Sequence, residues 1–259
     1  MSMTMDSIDP EKTCEELVGF LKSGFQKAGF TNAVIALSGG VDSATSCALA
    51  VRALGADNVF PVMLPYGALS AQATIDAVSV VEALGISSFH VTRLDIKPVV
   101  DPLIVKDPGI DNIRRGNAMA RARMMVLYDQ AKKRSALVVG TENKTEHLLG
   151  YFTRFGDEAS DIEPLRNLYK TQVCALAKYL GLPDAVLSRA PTADLWEGQT
   201  DEGEFGFTYK EADEILSQHF DEKKSMEKII ATGFSKELID RVLARVNVNN
   251  FKHHLPILP

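Results

Sequence analysis

The sequence predicts an α/β fold in which a parallel sheet is covered by helices. Three observations carry this reading. Short apolar runs, such as Ala33-Val34-Ile35-Ala36-Leu37, alternate with longer amphipathic stretches. Glycines sit where those stretches should end, at Gly29, Gly55, Gly85 and Gly181. A chain of 259 residues that is 46% apolar can bury one substantial core.

The elements follow in order. Asp9-Pro10 reads as an N-cap with proline at the first helical position, and Leu17, Phe20, Leu21 and Phe25 follow at helical spacing. Ala33–Leu37 is the first strand, and Ala44–Leu54 is a helix. Val59–Leu64 is the second strand, Ala71–Leu84 a helix, and Phe89–Leu94 the third strand. A long helix runs from about Asn112 to Lys133. Ala136–Gly140 is the fourth strand, Ile162–Leu165 a short fifth, and Leu168–Leu180 a helix. From Ala190 to Phe207 the composition turns to Pro, Gly, Asp and Glu, which predicts a long mobile loop. Tyr209–Val246 reads as short helices. Nothing divides residues 1–259 into two domains.

Composition excludes several classes. The net charge of −6 argues against a large nucleic-acid face. The three cysteines, Cys14, Cys47 and Cys174, show no metal-ligand spacing, and a sparse odd set suits reduced thiols. The polar start, Met1 to Pro10, lacks the apolar core of a signal peptide, and no apolar run is long enough to span a bilayer. The expectation is a cytoplasmic protein without membrane or nucleic-acid partners.

The segment Ser38-Gly39-Gly40-Val41-Asp42-Ser43 lies between a buried strand and a helix. Open α/β sheets bind ligands at the carboxyl ends of strands. Gly39 and Gly40 are expected to permit positive φ and close approach of backbone N–H groups to an anion. The helix N-terminus adds partial positive charge, and Ser38 and Ser43 add hydroxyl donors. Asp42 repels phosphate by itself, so its presence points to Mg²⁺ bridging to the phosphates of ATP. The loop is neither a GxxxxGK[ST] nor a GxGxxG motif.

A second constellation, Gly140-Thr141-Glu142-Asn143-Lys144-Thr145-Glu146, follows the fourth strand. Glu146 is either a second carboxylate for Mg²⁺ or an acid that favours a helix's first turn. The aromatic and charged stretch Gly150–Asp157 suits a flat heterocycle bearing a ribose, or packs on the core. Arg114, Asn117 and Arg121 share one helix face, on which Arg114 and Arg121 either line an anion site or form a solvated basic face. Arg123 points about 200° away from that face, so Arg121 and Arg123 should have different roles.

Taken together, SGGVDS, NAMARARM, GTENKTE, GYFTRFGD, DIEPL, LYKTQV and APTADLWEGQTDE, in that order, resemble the ammonia-dependent NAD⁺ synthetases of the PP-loop ATP pyrophosphatase superfamily. The resemblance runs from about Asn32 to Glu204 and more weakly beyond. It implies a Rossmann-like, five-stranded parallel sheet of the adenine nucleotide alpha hydrolase type. It also implies ATP-dependent amidation of deamido-NAD⁺ through a nicotinate adenylate, and a homodimer. Carried over, Ala36, Leu37, Ser38, Gly39, Gly40, Val41, Asp42 and Ser43, with Thr141, Lys170 and Thr192, resemble the ATP contacts. Asp42 and Glu146 match the Mg²⁺ carboxylates, and Asp42, Glu146 and Lys170 the catalytic set. Arg121, Arg154, Asp161, Phe251 and Lys252 match the deamido-NAD⁺ contacts. The family's terminal His-Lys-Arg is Phe251-Lys252-His253 here, so the His is a Phe. Rival PP-loop enzymes that modify RNA need basic surfaces and often cysteine pairs, which the chain lacks.

The synthetase motifs begin about 30 residues in, which leaves no room for a glutaminase domain, and Cys14 has no nearby His. Cys47 and Cys174 read as buried. Free ammonia, or ammonia from a separate protein, is therefore the expected nitrogen source. The purified chain should turn over with ammonium and not with glutamine, and glutamine-dependent product formation would refute this expectation.

Overall fold

The computed structural model describes residues 8–254, so the polar stretch before them lies outside the described residues. Helix α1 (Pro10–Ala28) starts where the sequence placed it. The Asp9 carboxylate accepts the Glu11 and Lys12 amides at 3.1 and 3.2 Å. Gly29 closes the helix at φ 76°. Leu21 and Phe25 are buried and Leu17 packs partly beside them, but Phe20 lies exposed off that stripe.

Strand β1 (Asn32–Ala36) pairs in parallel with β2 (Val59–Met63) on one side and β4 (Ala136–Val138) on the other. Strand β3 (Thr92–Arg93) pairs with β2, giving the order β3-β2-β1-β4. Side chains alternate across β1 with period two. Ala33 and Ile35 join the core under α1, α2 (Val41–Leu54), α3 (Ala71–Ala83), α7 (Lys170–Tyr179) and α8 (Asp184–Leu187). Val34 joins the core under α4 (Lys97–Lys106) and α5 (Asn112–Arg134). A third cluster unites α6 (Lys144–Leu149) and α9 (Asp201–Phe205) with α10 (Tyr209–Leu216), α11 (Met226–Ile230) and α12 (Lys236–Asn249).

The sheet has four strands, not the expected five. Ile162 makes only an isolated parallel bridge with Val139. Pro164 has no N–H to extend a ladder, and the Leu168 amide turns back onto the Leu165 carbonyl at 2.9 Å. The third strand is shorter than expected because Ser88–His90 forms a tight turn. The Ser87 hydroxyl accepts the Phe89 amide at 3.3 Å there and leaves Phe89 92% exposed. Helix α4 has no counterpart in the sequence reading: Pro98 lies in its first turn, where proline is tolerated, Pro102 lies inside it, and Ile96 and Val100 are buried. Part of the expected loop at Ala190–Phe207 is also helical: α9 is capped by the Thr200 hydroxyl on the Gly203 amide. Cys174 is exposed on the outer face of α7, whereas Cys14 and Cys47 are buried.

The strand order reverses between β1 and β4, and both strands release their loops at the same sheet edge. That edge carries a buried charge cluster behind the loops. Glu142 faces the Arg166 guanidinium at 3.0 Å and His147 Nδ1 at 3.1 Å. Glu163 sits where a Cβ on Gly140 would fall, 1.9 Å from one carboxylate oxygen. Burial pushes the Glu142 carboxyl up to about 8 from the ordinary 4.5, although Arg166 pulls it down. Folded Glu142 therefore keeps a proton that the unfolded chain has lost, and stability should fall as pH rises from 4.5 towards 8. Glu142→Gln retains the neutral form. Its melting temperature should fall less than that of the wild type between about pH 5 and 8.5. Identical slopes in thermal melts would contradict this.

Candidate active site

The cradle is built at the end of β1. Leu37 leaves the sheet, and α2 begins at Val41, earlier than the sequence suggested, so Asp42 and Ser43 occupy its first turn. Gly39 has φ +83°, and a Cβ there would lie 2.2 Å from the Ala73 carbonyl oxygen of α3. Gly40 differs from expectation: its φ is −83°, an ordinary extended value, and it is the N-cap. Gly40 has no side chain to cap the helix, so the α2 N-terminus presents its amides without a side-chain acceptor. Ser38 and Ser43 tie the loop together, their hydroxyls 3.1 Å apart, and the Ser43 hydroxyl reaches the Gly40 carbonyl at 3.0 Å.

Asp42 projects from α2 towards two other elements. One of its oxygens accepts from Asn143 Nδ2 at 2.8 Å, and the other from the Lys170 ammonium. Asn143 is the N-cap of α6, and its Oδ1 accepts the Glu146 amide at 3.0 Å. Glu146 completes this capping box through Oε2 and turns Oε1 to Lys170 Nζ at 3.4 Å. The two readings of Glu146 are thus compatible: one oxygen caps the helix and the other faces the charge cluster.

Lys170 opens α7 and is only 5% exposed. Its backbone amide donates to the Thr145 hydroxyl at 2.9 Å, and its ammonium lies 4.9 Å from the centre of the Tyr209 ring. The buried Asp213 carboxylate accepts from the Thr145 hydroxyl and from the Thr171 amide and hydroxyl, so α10 locks α6 and α7 together. Burial depresses the pKa of Lys170, but Asp42 and Glu146 outweigh it and hold the ammonium above its ordinary range. Burial and the Asp42 charge push the Glu146 carboxyl well above its usual value, against the pull of Lys170.

These groups open onto a cavity of about 450 Å³. Ala36, Leu37, Ser38, Gly40, Val41, Asp42, Ser43, Thr141, Glu146, Lys170 and Thr192 all line it. Gly39 shapes the loop from behind, against α3. The Thr192 hydroxyl already donates to the Gln199 carbonyl at 2.9 Å and accepts the Asp194 amide at 3.1 Å. Arg189 clamps the start of this segment by pairing with Asp76 of α3 and with Asp194. Tyr151 donates from its phenol to Asp201 at 3.0 Å and to Glu204 at 3.2 Å, so α9 closes one wall.

The second set of expected residues is arranged differently. Only Lys252 lines the cavity, and its ammonium donates to the Gly150 and Phe152 carbonyls at 2.6 and 2.9 Å. Arg121 is exposed and its guanidinium reaches the Arg154 carbonyl at 3.2 Å, while the Arg154 guanidinium lies 5.2 Å from the centre of the Phe155 ring. Asp161 accepts the Val138 amide at 2.7 Å, and Phe251 is 60% exposed. Arg114 lies outside the cavity lining and pairs with Asp107 at 2.6 Å. Arg123 does diverge from Arg121, turning inward to the Leu64 carbonyl at 3.1 Å and lining the cavity. Arg189, Asp201, Glu204 and Arg245 also line the cavity and were not singled out from the sequence. They come from loop and helix segments whose spacing carries no phosphate or metal signature.

Two carboxylates and an ammonium beside an open helix N-terminus suit a triphosphate with a divalent cation. The chain's relatives have matching names. The family model for NAD synthase matches residues 13–256. An NH(3)-dependent NAD(+) synthetase of Fusobacterium nucleatum is 44% identical over 243 residues, covering 94% of this chain and 93% of that protein. One from Chlorobium phaeovibrioides is 47% identical over 244 residues, covering 94% and 87%. Among solved structures, an NMN synthetase from Francisella tularensis superimposes with a TM-score of 0.85 at 35% identity, covering 98% of this chain and 99% of that one. An NH3-dependent NAD synthetase from Campylobacter jejuni gives 0.82 at 30% identity, covering 97% and 100%. The loop after β1, the carboxylate pair and these matches over almost the whole chain place it in the NAD synthase family.

Proposed function

We propose that the cavity amidates deamido-NAD⁺ with ammonia at the expense of ATP, as the family assignment implies. The single observation that carries this reading is Lys170 seated between Asp42 and Glu146 at the open N-terminus of α2. A nicotinate carboxylate is a poor acyl donor. Its oxygen attacks the α-phosphorus of ATP, the bond from that phosphorus to the bridging oxygen breaks, and pyrophosphate leaves. Ammonia then attacks the acyl carbon, AMP departs with the electron pair, and a proton is released. No protein nucleophile is required, so rate enhancement comes from positioning and charge stabilisation.

The ATP phosphates rest on the amides of the Ser38–Ser43 loop and the hydroxyls of Ser38 and Ser43. Thr141 and Thr192 complete the nucleotide contacts. Asp42 and Glu146 are the carboxyl groups that would hold Mg²⁺, and each now turns one oxygen to the Lys170 ammonium, which the ion would have to share or displace. Among the described residues no group of three or more His, Cys, Asp or Glu side chains gathers for a metal, so an ion held by Asp42 and Glu146 would need further oxygen ligands from outside the protein. When bound, the ion neutralises phosphate charge as it develops. Lys170 supplies a fixed positive charge to the departing pyrophosphate. The segment 190–207, clamped by Arg189 and Tyr151, acts as a lid over the nucleotide.

Arg121, Arg154, Asp161, Phe251 and Lys252 form the acceptor surface. Because most of them lie outside the cavity, a second copy of the chain completes the site in a homodimer. Exposed Leu103 and Val105 on α4 and Ile113 and Met125 on α5 supply apolar area for that contact. The same arrangement favours a second reading, in which the acceptor is a nicotinate mononucleotide: the residues at the cavity itself address only the reacting end.

The test is direct. The protein with ATP, Mg²⁺ and ammonium should convert deamido-NAD⁺ to NAD⁺ with equal amounts of AMP and pyrophosphate. Absence of NAD⁺ at saturation would overturn the reading, and faster turnover of the mononucleotide would favour the second acceptor. Asp42→Asn should keep the fold, because Asn143 can still anchor the amide oxygen, at a lower melting temperature because buried Lys170 loses a counter-charge, and should raise the Mg²⁺ needed for half-maximal rate by about tenfold or more. Unchanged Mg²⁺ dependence would remove Asp42 from the metal site.

A further inference from the structure

Five cations line the cavity: Arg123, Lys170, Arg189, Arg245 and Lys252. Four are held by protein acceptors. Lys170 and Arg189 pair with carboxylates, and Arg123 and Lys252 donate to backbone carbonyls. Among the described residues, the Arg245 guanidinium donates to no acceptor, and its buried Nε has no hydrogen-bond partner. It is held in place from the side by aromatic faces. Its central carbon lies 4.5 Å from the ring centre of Phe205 in α9 and 5.3 Å from that of Tyr151. Stacking fixes the plane of a guanidinium and leaves its in-plane donors for a ligand.

The position of Arg245 selects the ligand. Tyr151 donates to Asp201 Oδ1 at 3.0 Å, Tyr209 donates to Asp201 Oδ2 at 2.9 Å, and Lys170 lies over the Tyr209 ring. Arg245 and Lys170 are thus joined through two phenols that share one carboxylate. Arg245, Asn249 and Lys252 follow one another at helical spacing along the cavity wall. Lys252 sits at the Gly150–Phe152 turn, while Arg245 sits at the α9 end. The cavity therefore offers a forked, unclaimed cation on the lid side of Lys170.

We infer that Arg245 binds the terminal phosphates of ATP and holds the pyrophosphate formed from them, as a substrate-contacting residue of the same reaction. The inference rests on the proposed reading of the cavity as an ATP site. A guanidinium meets two phosphate oxygens with parallel N–H donors, which an ammonium cannot do. Lys170 would neutralise the phosphate nearest the broken bond, and Arg245 the distal one. Its resting place on Phe205 also places the distal phosphate against α9.

Isothermal titration of Mg²⁺-pyrophosphate into the full chain tests this without any turnover. Arg245→Met keeps an unbranched apolar stem against Tyr151 and Phe205. It should weaken pyrophosphate binding about tenfold, the loss of one charge-assisted contact. It should also raise KM for ATP and leave KM for the acceptor unchanged. An undiminished pyrophosphate affinity, or a rise confined to the acceptor KM, would overturn the assignment. A purely structural role on the aromatic pair would lower the melting temperature without altering pyrophosphate affinity, and so counts against it too. If Arg245→Met does not fold, Arg245→Lys is read instead: weaker pyrophosphate binding supports the assignment and wild-type binding overturns it. Because the titration needs no acceptor, it can succeed even where NAD⁺ synthesis fails, which keeps the two readings separable.

Discussion

An ammonium withdrawn from water costs several kcal/mol unless counter-charge meets it, and Lys170 meets two carboxylates that are themselves largely withdrawn. The cost is shared across three elements. Asp42 comes from the first turn of α2, Glu146 from the first turn of α6, and Lys170 from the first position of α7. Burial disfavours the charged forms of Lys170 and Glu146, and at Lys170 the neighbouring carboxyl groups outweigh it. The ion triad therefore constrains how the β1 and β4 loops sit relative to α7. Much of the surrounding structure serves that constraint: Asn143 orients Asp42, the capping box turns Glu146, and Asp213 pins the backbones of Thr145 and Thr171.

The same triad explains why the cavity suits an anion carried with a divalent cation. Two carboxylates near a phosphate cradle would repel a bare triphosphate, and one ammonium offsets only part of their charge. In the proposed reaction a hard cation carried with the phosphates would offset that imbalance. The walls follow the same logic. Arg189 balances Asp76 and Asp194, and the Tyr151 and Tyr209 phenols satisfy Asp201. The acids of α9 are thereby placed beside the cavity with Asp201 satisfied on both oxygens.

Much of this was legible in the chain before any coordinates. Local signals were read where the physics is local: the Asp9 cap, the Gly29 stop, and the strand-glycine-glycine-helix passage at Ser38–Ser43. The divergence of Arg121 and Arg123 followed from helix geometry alone. The misreadings have different causes. Ile162–Leu165 has strand-like side chains, but Pro164 offers no N–H and the pairing stops at the single Ile162–Val139 bridge. Helix α4 forms despite Pro102 in its interior because Ile96 and Val100 find a core. Cys174 reads as buried by type and is exposed because α7 turns that face outward. In the last two cases packing between elements decided the outcome.

The sequence by itself determined the chemistry available: a phosphate loop, two acids and a lysine at strand and helix ends, and a family pattern that names the reaction. Those depend on residue type and spacing within a few positions, which a single chain displays openly. Only the tertiary structure decided which charges meet. The contact between Asp42 and Lys170 spans 128 positions, and that between Asn143 and Asp42 spans 101. Electrostatic pairing depends on distance and burial rather than order along the chain. Hence it was the fold that joined Lys170 to its two acids and left Arg245 facing the cavity without an acceptor among the described residues.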